Sequence, residues 1–90
     1  MQITININGE DKTFTAVIVP MLAKRKFLEI RAKEEKLIEE HGYIPATEQI
    51  ELENELINIV VDVVFKNQFT VDELLSGVSE DYYNEKVSEI

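Results

Sequence analysis

The chain has 90 residues, no cysteine, and 18 Asp and Glu against 9 Lys and Arg, for a formal net charge of −9. This excludes disulfides, thiolate metal sites and cysteine nucleophiles, and it argues against nucleic-acid binding, whose affinity comes from neutralising phosphates. A chain this short buries only about 60 % of the surface its unfolded form exposes, so stability borrowed from a partner or a homo-oligomer fits its size.

Residues 1–8 alternate, with Ile3, Ile5 and Ile7 on one face and Gln2, Thr4, Asn6 and Asn8 on the other. That period of two predicts a strand. Asn8 and Gly9 accept positive φ and predict a tight hairpin turn, with "KTFTAVIV" as the returning strand. The hairpin is placed at residues 1–19.

Pro20 fits the first turn of a helix, and residues 20–41 run on without an internal Gly or Pro. Ala23, Phe27 and Ile30 share a face that Leu37 and Ile38 resume two turns later, while Glu34 interrupts it. Glu29 and Lys33 have the i,i+4 spacing of a supporting ion pair. His41 suits the negative end of the helix dipole, and Gly42 stops the helix.

A second helix is placed at 47–66, with Thr47 as its cap. Leu52, Leu56, Ile59, Val60, Val63 and Val64 make one apolar stripe, and Ile50, Ile57 and Val61 a second. The β-branched run "INIVVDVVF" also suits a buried strand. Helix is preferred because "ELENELI" enters the run without a turn signal.

Asn67 and Gln68 read as a turn. Thr70 and Glu73 have the spacing of a capping box, and Phe69 and Leu74 that of a hydrophobic staple. Gly77 suits the stop of this short helix. Ser79 is placed as the cap of a last helix carrying Tyr82, Tyr83 and Val87, so that 70–90 holds short C-terminal helices. The expected fold is one domain over 1–90, mainly α: a small helical domain with an N-terminal β-hairpin (α+β).

Little here points to chemistry. His41 is the only histidine, and beside Gly42 at a helix end it reads as a dipole partner and not as the base of a nucleophile. Metal sites need clustered ligands that the chain does not group. The three glycines stand singly at 9, 42 and 77, which leaves no phosphate loop. No enzyme, cofactor or metal is expected. No apolar run approaches the roughly 20 residues that cross a bilayer, and the alternating start is no signal peptide; a cytoplasmic protein is expected, with no membrane contact.

The charge is lopsided. Residues 1–46 carry seven basic and seven acidic side chains, while 47–90 carry two basic and eleven acidic and so all of the −9. A solubility device is one reading. A basic partner, or DNA mimicry along Glu48, Glu51, Glu55 and Asp62, is another.

At Val60–Gly77 the chain resembles the tail assembly chaperones of long-tailed (siphovirus-type) phages and prophages of Gram-positive bacteria. The similar elements are "VVDVVF", then "NQFT", then the acidic "VDELLSG". The extended start with "TFTA" and the long mixed-charge helix after it are similar too. The family often has Gly after the Phe, where this chain has Lys66. The resemblance implies a non-enzymatic factor that keeps the tape-measure protein soluble in the host bacterial cytoplasm before the tail tube protein polymerises, and that is absent from the mature virion. Candidate partner contacts are Phe27, Leu28, Phe69, Leu74 and Leu75. The alternatives are an acidic DNA mimic or inhibitor, or a small structural phage component.

Overall fold

In the structure, a computed structural model describing residues 1–90, the chain opens with an antiparallel hairpin of β1 (Gln2–Ile7) and β2 (Glu10–Thr15). The register runs from Gln2 opposite Thr15 to Ile7 opposite Glu10. Asn8 at φ 54° and Gly9 at φ 83° form the two-residue turn, whose twist matches that of the flanking strands. Alternation decides the faces: Ile3 and Ile5 are fully buried. On the outer face the register partners Thr4 and Thr13 share a hydroxyl hydrogen bond of 2.9 Å, and Asn6 donates to Asp11 at 3.0 Å.

The returning strand is shorter than expected. One further backbone pair, Met1 with Ala16, closes the hairpin. Beyond it Val17 and Ile18 turn into solvent at 93 % and 72 % exposure, because nothing on β1 remains to pair with them.

Helix α1 (Met21–His41) follows, with Pro20 just before it at the N-cap. It ends at Gly42 in the left-handed conformation, φ 78°, whose N–H donates to the Ile38 carbonyl. Ala23 and Ile30 are buried and Phe27 and Leu37 half-buried, so the stripe is real, but Ile38 lies outside it, exposed. Lys33 does not pair with Glu29. Its ammonium reaches across to Glu55 at 2.9 Å, and that hydrogen bond, followed by the Glu55 charge, raises its pKa.

Helix α2 (Ala46–Asn58) starts one residue earlier than Thr47, which caps nothing: Pro45 holds the N-cap position. In place of a side-chain cap, the Gln49 amide donates to the Ile44 carbonyl at 2.7 Å. Ile50 is exposed, so the second stripe reduces to Ile57 and Val61. The β-branched run stays helical but widens, and Ile59–Val64 forms a π-helical continuation. The Phe65 N–H still reaches the Val60 carbonyl at 3.0 Å. Widening brings Ile59, Val60, Val61, Val64 and Phe65 into the core and leaves Asp62 outside.

A sharp corner follows. Lys66 and Asn67 adopt φ 51° and 63°, and the Gln68 amide donates to the Thr15 carbonyl, tying the corner to the hairpin. Phe69 lies 5.0 Å from the Phe14 ring and 5.2 Å from the Phe65 ring, so one aromatic cluster joins hairpin, corner and π-helical turn. Helix α3 (Val71–Gly77) carries the full capping box: Thr70 Oγ1 accepts from the Glu73 N–H and the Glu73 carboxylate from the Thr70 N–H. Both staple residues, Phe69 and Leu74, are buried.

Gly77 is not the left-handed stop expected of it. It lies inside α3 as its last residue and lets the helix touch β1: a Cβ there would overlap Ile5 Cγ2 and come within 2.5 Å of the Asn6 carbonyl oxygen. Helix α4 (Glu80–Val87) is capped by Ser79, which accepts from the Tyr82 N–H. The Tyr82 hydroxyl then accepts from the outward N–H of Thr4 at 2.9 Å. Helices thus cover the outer edge of β1, which an unpaired strand otherwise offers to other chains. The result is four helices and one N-terminal hairpin around a core with no buried polar or charged side chain, stretched to 43 × 27 × 18 Å.

Candidate partner-binding groove

The backbone steps that place α3 and α4 also shape a concavity that neither strand of the hairpin lines. The corner at Lys66 and Asn67 reverses the chain after the π-helical turn, and the capping box fixes where α3 begins. The extended Val78 and Ser79 then redirect the chain into α4. Between α2, α3 and α4, with Ile30 and Glu34 of α1 at one end, lies a groove of about 620 Å³. Its walls are Ile44, Leu56, Leu75, Val78 and Tyr83. Buried Ile30, Leu52, Ile57 and Leu74 line it as well.

The groove's charged lining residues are Glu34, Glu53 and Glu80, with no Lys, Arg or His among the lining. Tyr83 puts its hydroxyl into this setting with no hydrogen-bond partner, although the atom is shielded from solvent. Burial, helped by the Glu53 carboxylate, raises the Tyr83 phenol above its ordinary pKa, because both disfavour phenolate. An unpaired buried hydroxyl is costly.

A second, smaller concavity between α1 and the end of α2 is lined by Lys26 and Lys33 as well as Glu29, Glu55 and Asp62. Its charges are mixed, and Lys33 and Glu55 already satisfy each other. Asp62 accepts from Asn67 at 2.9 Å. Two of the four carboxylates in the proposed phosphate-like row are therefore engaged within the molecule.

The five candidate contact residues are dispersed. Leu74 and Leu75 meet at the groove, Leu74 buried in its lining and Leu75 on its wall with 54 % exposure. Phe69 is core, 3 % exposed. Leu28 is exposed, and Phe27 is half-buried with the Arg31 guanidinium 5.8 Å from its ring centre; neither lines the groove. Sequence reasoning missed Ile44, Leu52, Leu56, Val78 and Tyr83 as the lining of one groove. The signal was present in Leu52 and Leu56, but i,i+4 spacing marks an apolar face without saying whether anything covers it.

No group of three or more His, Cys, Asp and Glu side chains could hold a metal ion, and no helix is long and apolar enough to cross a membrane. The arrangement offers shape, apolar surface and negative charge, which are means of binding.

Comparison with known proteins finds no match among curated sequences and none among solved structures. The phage tail chaperone protein family matches residues 1–90. The match covers every element from β1 to α4, including the Val60–Gly77 stretch that carried the resemblance, and it makes the protein an assembly factor and not an enzyme. The chain belongs to the phage tail chaperone family.

Proposed function

We propose that this chaperone binds the tape-measure protein of a long-tailed phage or prophage of a Gram-positive host. It holds that protein soluble in the bacterial cytoplasm until tail tube subunits assemble around it, and it leaves before the virion is complete. Family membership over the full chain carries the reading. Two physical features support it. A groove with 9 hydrophobic residues among its 15 stays open, which is what a binder of apolar segments needs. The formal charge of −9 makes coated complexes repel one another.

Phe27, Leu28 and Leu75 are the candidate contacts with surface to offer, and Phe69 and Leu74 act by holding the corner and α3 in place. The test is co-expression with the tape-measure protein of the same phage, followed by pull-down at low and high salt. Solubilisation and capture that survive moderate salt are expected, since apolar contact is not screened, whereas exposed charges are screened beyond about 10 Å at 0.1 M salt. A tape-measure protein that stays equally insoluble with and without this chain overturns the proposal. Capture that vanishes at moderate salt moves the binding to the acidic surface, and co-purification with finished virions makes the protein a structural component.

A further inference from the structure

We infer that the groove between α2, α3 and α4 is a docking site for a single amphipathic α-helix whose flanks carry Lys or Arg. This rests on the chaperone reading and deepens it, by naming the surface and the chemistry of what lies on it.

The groove's lining selects the occupant. Its walls are contributed by helices and their connections, and neither strand lines it. An extended peptide laid there finds no row of free backbone N–H and C=O groups, so its own backbone stays unpaired. A helix arrives with those bonds already made internally. Exposed Leu75 and half-buried Leu56 and Val78 offer apolar surface to its buried stripe. Glu34, Glu53 and Glu80, with no Lys or Arg in the lining, complement Lys or Arg on its flanks and disfavour an acidic helix. The second concavity supplies the contrast, since it already holds both signs of charge and is mostly polar.

The experiment uses the full chain and three synthetic peptides of about 20 residues, long enough to span roughly 30 Å as helix. One has a Leu stripe with Lys flanks, one the same stripe with Glu flanks, and one the Lys composition scrambled to destroy the stripe. Binding is read by fluorescence anisotropy and located by amide chemical shifts. The Lys-flanked helix is expected to bind and to shift Leu52, Leu56, Leu75 and Tyr83. Leu75→Asp is expected to weaken it by about tenfold or more, the effect of some 1.4 kcal/mol. Glu53→Gln with Glu80→Gln is expected to weaken it severalfold, more at low salt than at high. Val17→Asp, on an exposed apolar residue outside the groove lining, is expected to leave it unchanged. Circular dichroism checks that each variant is folded, and Leu75→Ala repeats the groove test without adding charge.

Equal binding of the scrambled peptide overturns the inference, because charge alone then suffices. So does equal binding of the Glu-flanked helix, or an unchanged affinity in both Leu75 variants. A tape-measure protein kept soluble by Leu75→Asp as well as by the unaltered chain sinks the groove and leaves the chaperone reading standing. Helix binding at the groove without any effect on the tape-measure protein does the reverse.

Discussion

Residues 16–22, AVIVPML, and residues 59–65, IVVDVVF, are both dense in β-branched and large apolar side chains. The second stretch is packed away, with Phe65 at 0 % and Val60 at 1 % exposure, while Val17 and Met21 in the first are at 93 % and 90 %. Composition does not separate them. What separates them is where the backbone hydrogen bonds go and what lies across from the side chains. The π-helical turn meets its own backbone groups internally and is enclosed by α1, the hairpin and the Phe69 corner. The segment after Ala16 has run past the last pair of the hairpin, and Pro20 has no N–H to offer. Apolar content in a small protein therefore states a capacity for burial, and topology decides whether it is used.

The sharpest way to test that contrast is to truncate the buried side. Phe65→Ala removes a fully buried ring that packs on Phe69. It is expected to cost about 3 to 5 kcal/mol, enough to unfold a domain of this size at or near room temperature. Chemical denaturation measures it; a loss below about 1 kcal/mol would mean that the aromatic cluster is loosely packed.

Gly77→Ala tests the contact that closes the core from the other side. Ala is the better helix former by about 1 kcal/mol, and that alone predicts a gain. The added Cβ, however, meets the Asn6 backbone, which cannot rotate aside as a side-chain tip could. Overpacking of about 1 to 3 kcal/mol wins, and the midpoint is expected to fall. A rise would show that α3 does not press on β1.

Much of the corner is legible in the residue order. Thr70 with Glu73, and Phe69 with Leu74, encode their geometry at fixed short spacings, and both motifs form. The Asn8 and Gly9 turn, the Gly42 stop and the Ser79 cap are local in the same way. What failed to show was long-range. Lys33 chose Glu55 over Glu29 because α2 lies beside α1. Gly77 serves a strand some seventy positions away in sequence. The groove is legible only as apolar spacing, since its openness depends on how far α4 stands from α2. Nor does residue order announce the π-helical widening, which depends on the packing around Ile59–Val64.

Thr70→Ala is expected to cost about 1 kcal/mol by removing the hydroxyl that accepts from the Glu73 N–H. Denaturation midpoints check it, with tail-assembly activity falling only as far as folding does. An unchanged midpoint would mean that the Glu73 half of the box and the staple hold the corner unaided.

Lys66→Gly has a smaller effect and the opposite sign. Lys66 sits at φ 51°, where a side chain costs about 1 to 2 kcal/mol. Gly removes that cost but gives the unfolded chain more freedom, worth about 0.5 to 1 kcal/mol. The balance is a gain of roughly 0.5 to 1 kcal/mol. It would be refuted by a lower midpoint.

The smallest effect belongs to the exposed stretch and completes the comparison with Phe65. Val17→Thr and Ile18→Thr keep the branched Cβ and the preference for an extended backbone, so they change polarity and little else locally. Both side chains already stand in water in the folded protein, at 93 % and 72 % exposure. Folding therefore moves little of their apolar surface out of solvent, and little can be lost: each midpoint is expected to stay within about 0.5 kcal/mol of the unaltered chain. The variants should also gain solubility at high concentration, since they break an exposed apolar run beside the open edge of β2. Chemical denaturation reads the first quantity, and sedimentation velocity across a concentration series reads the self-association behind the second. A stability loss of about 1 kcal/mol or more, appearing only at concentrations where the unaltered chain self-associates, would mean that residues 16–22 are covered by a second copy in solution and that the difference between the two stretches exists only in the monomer.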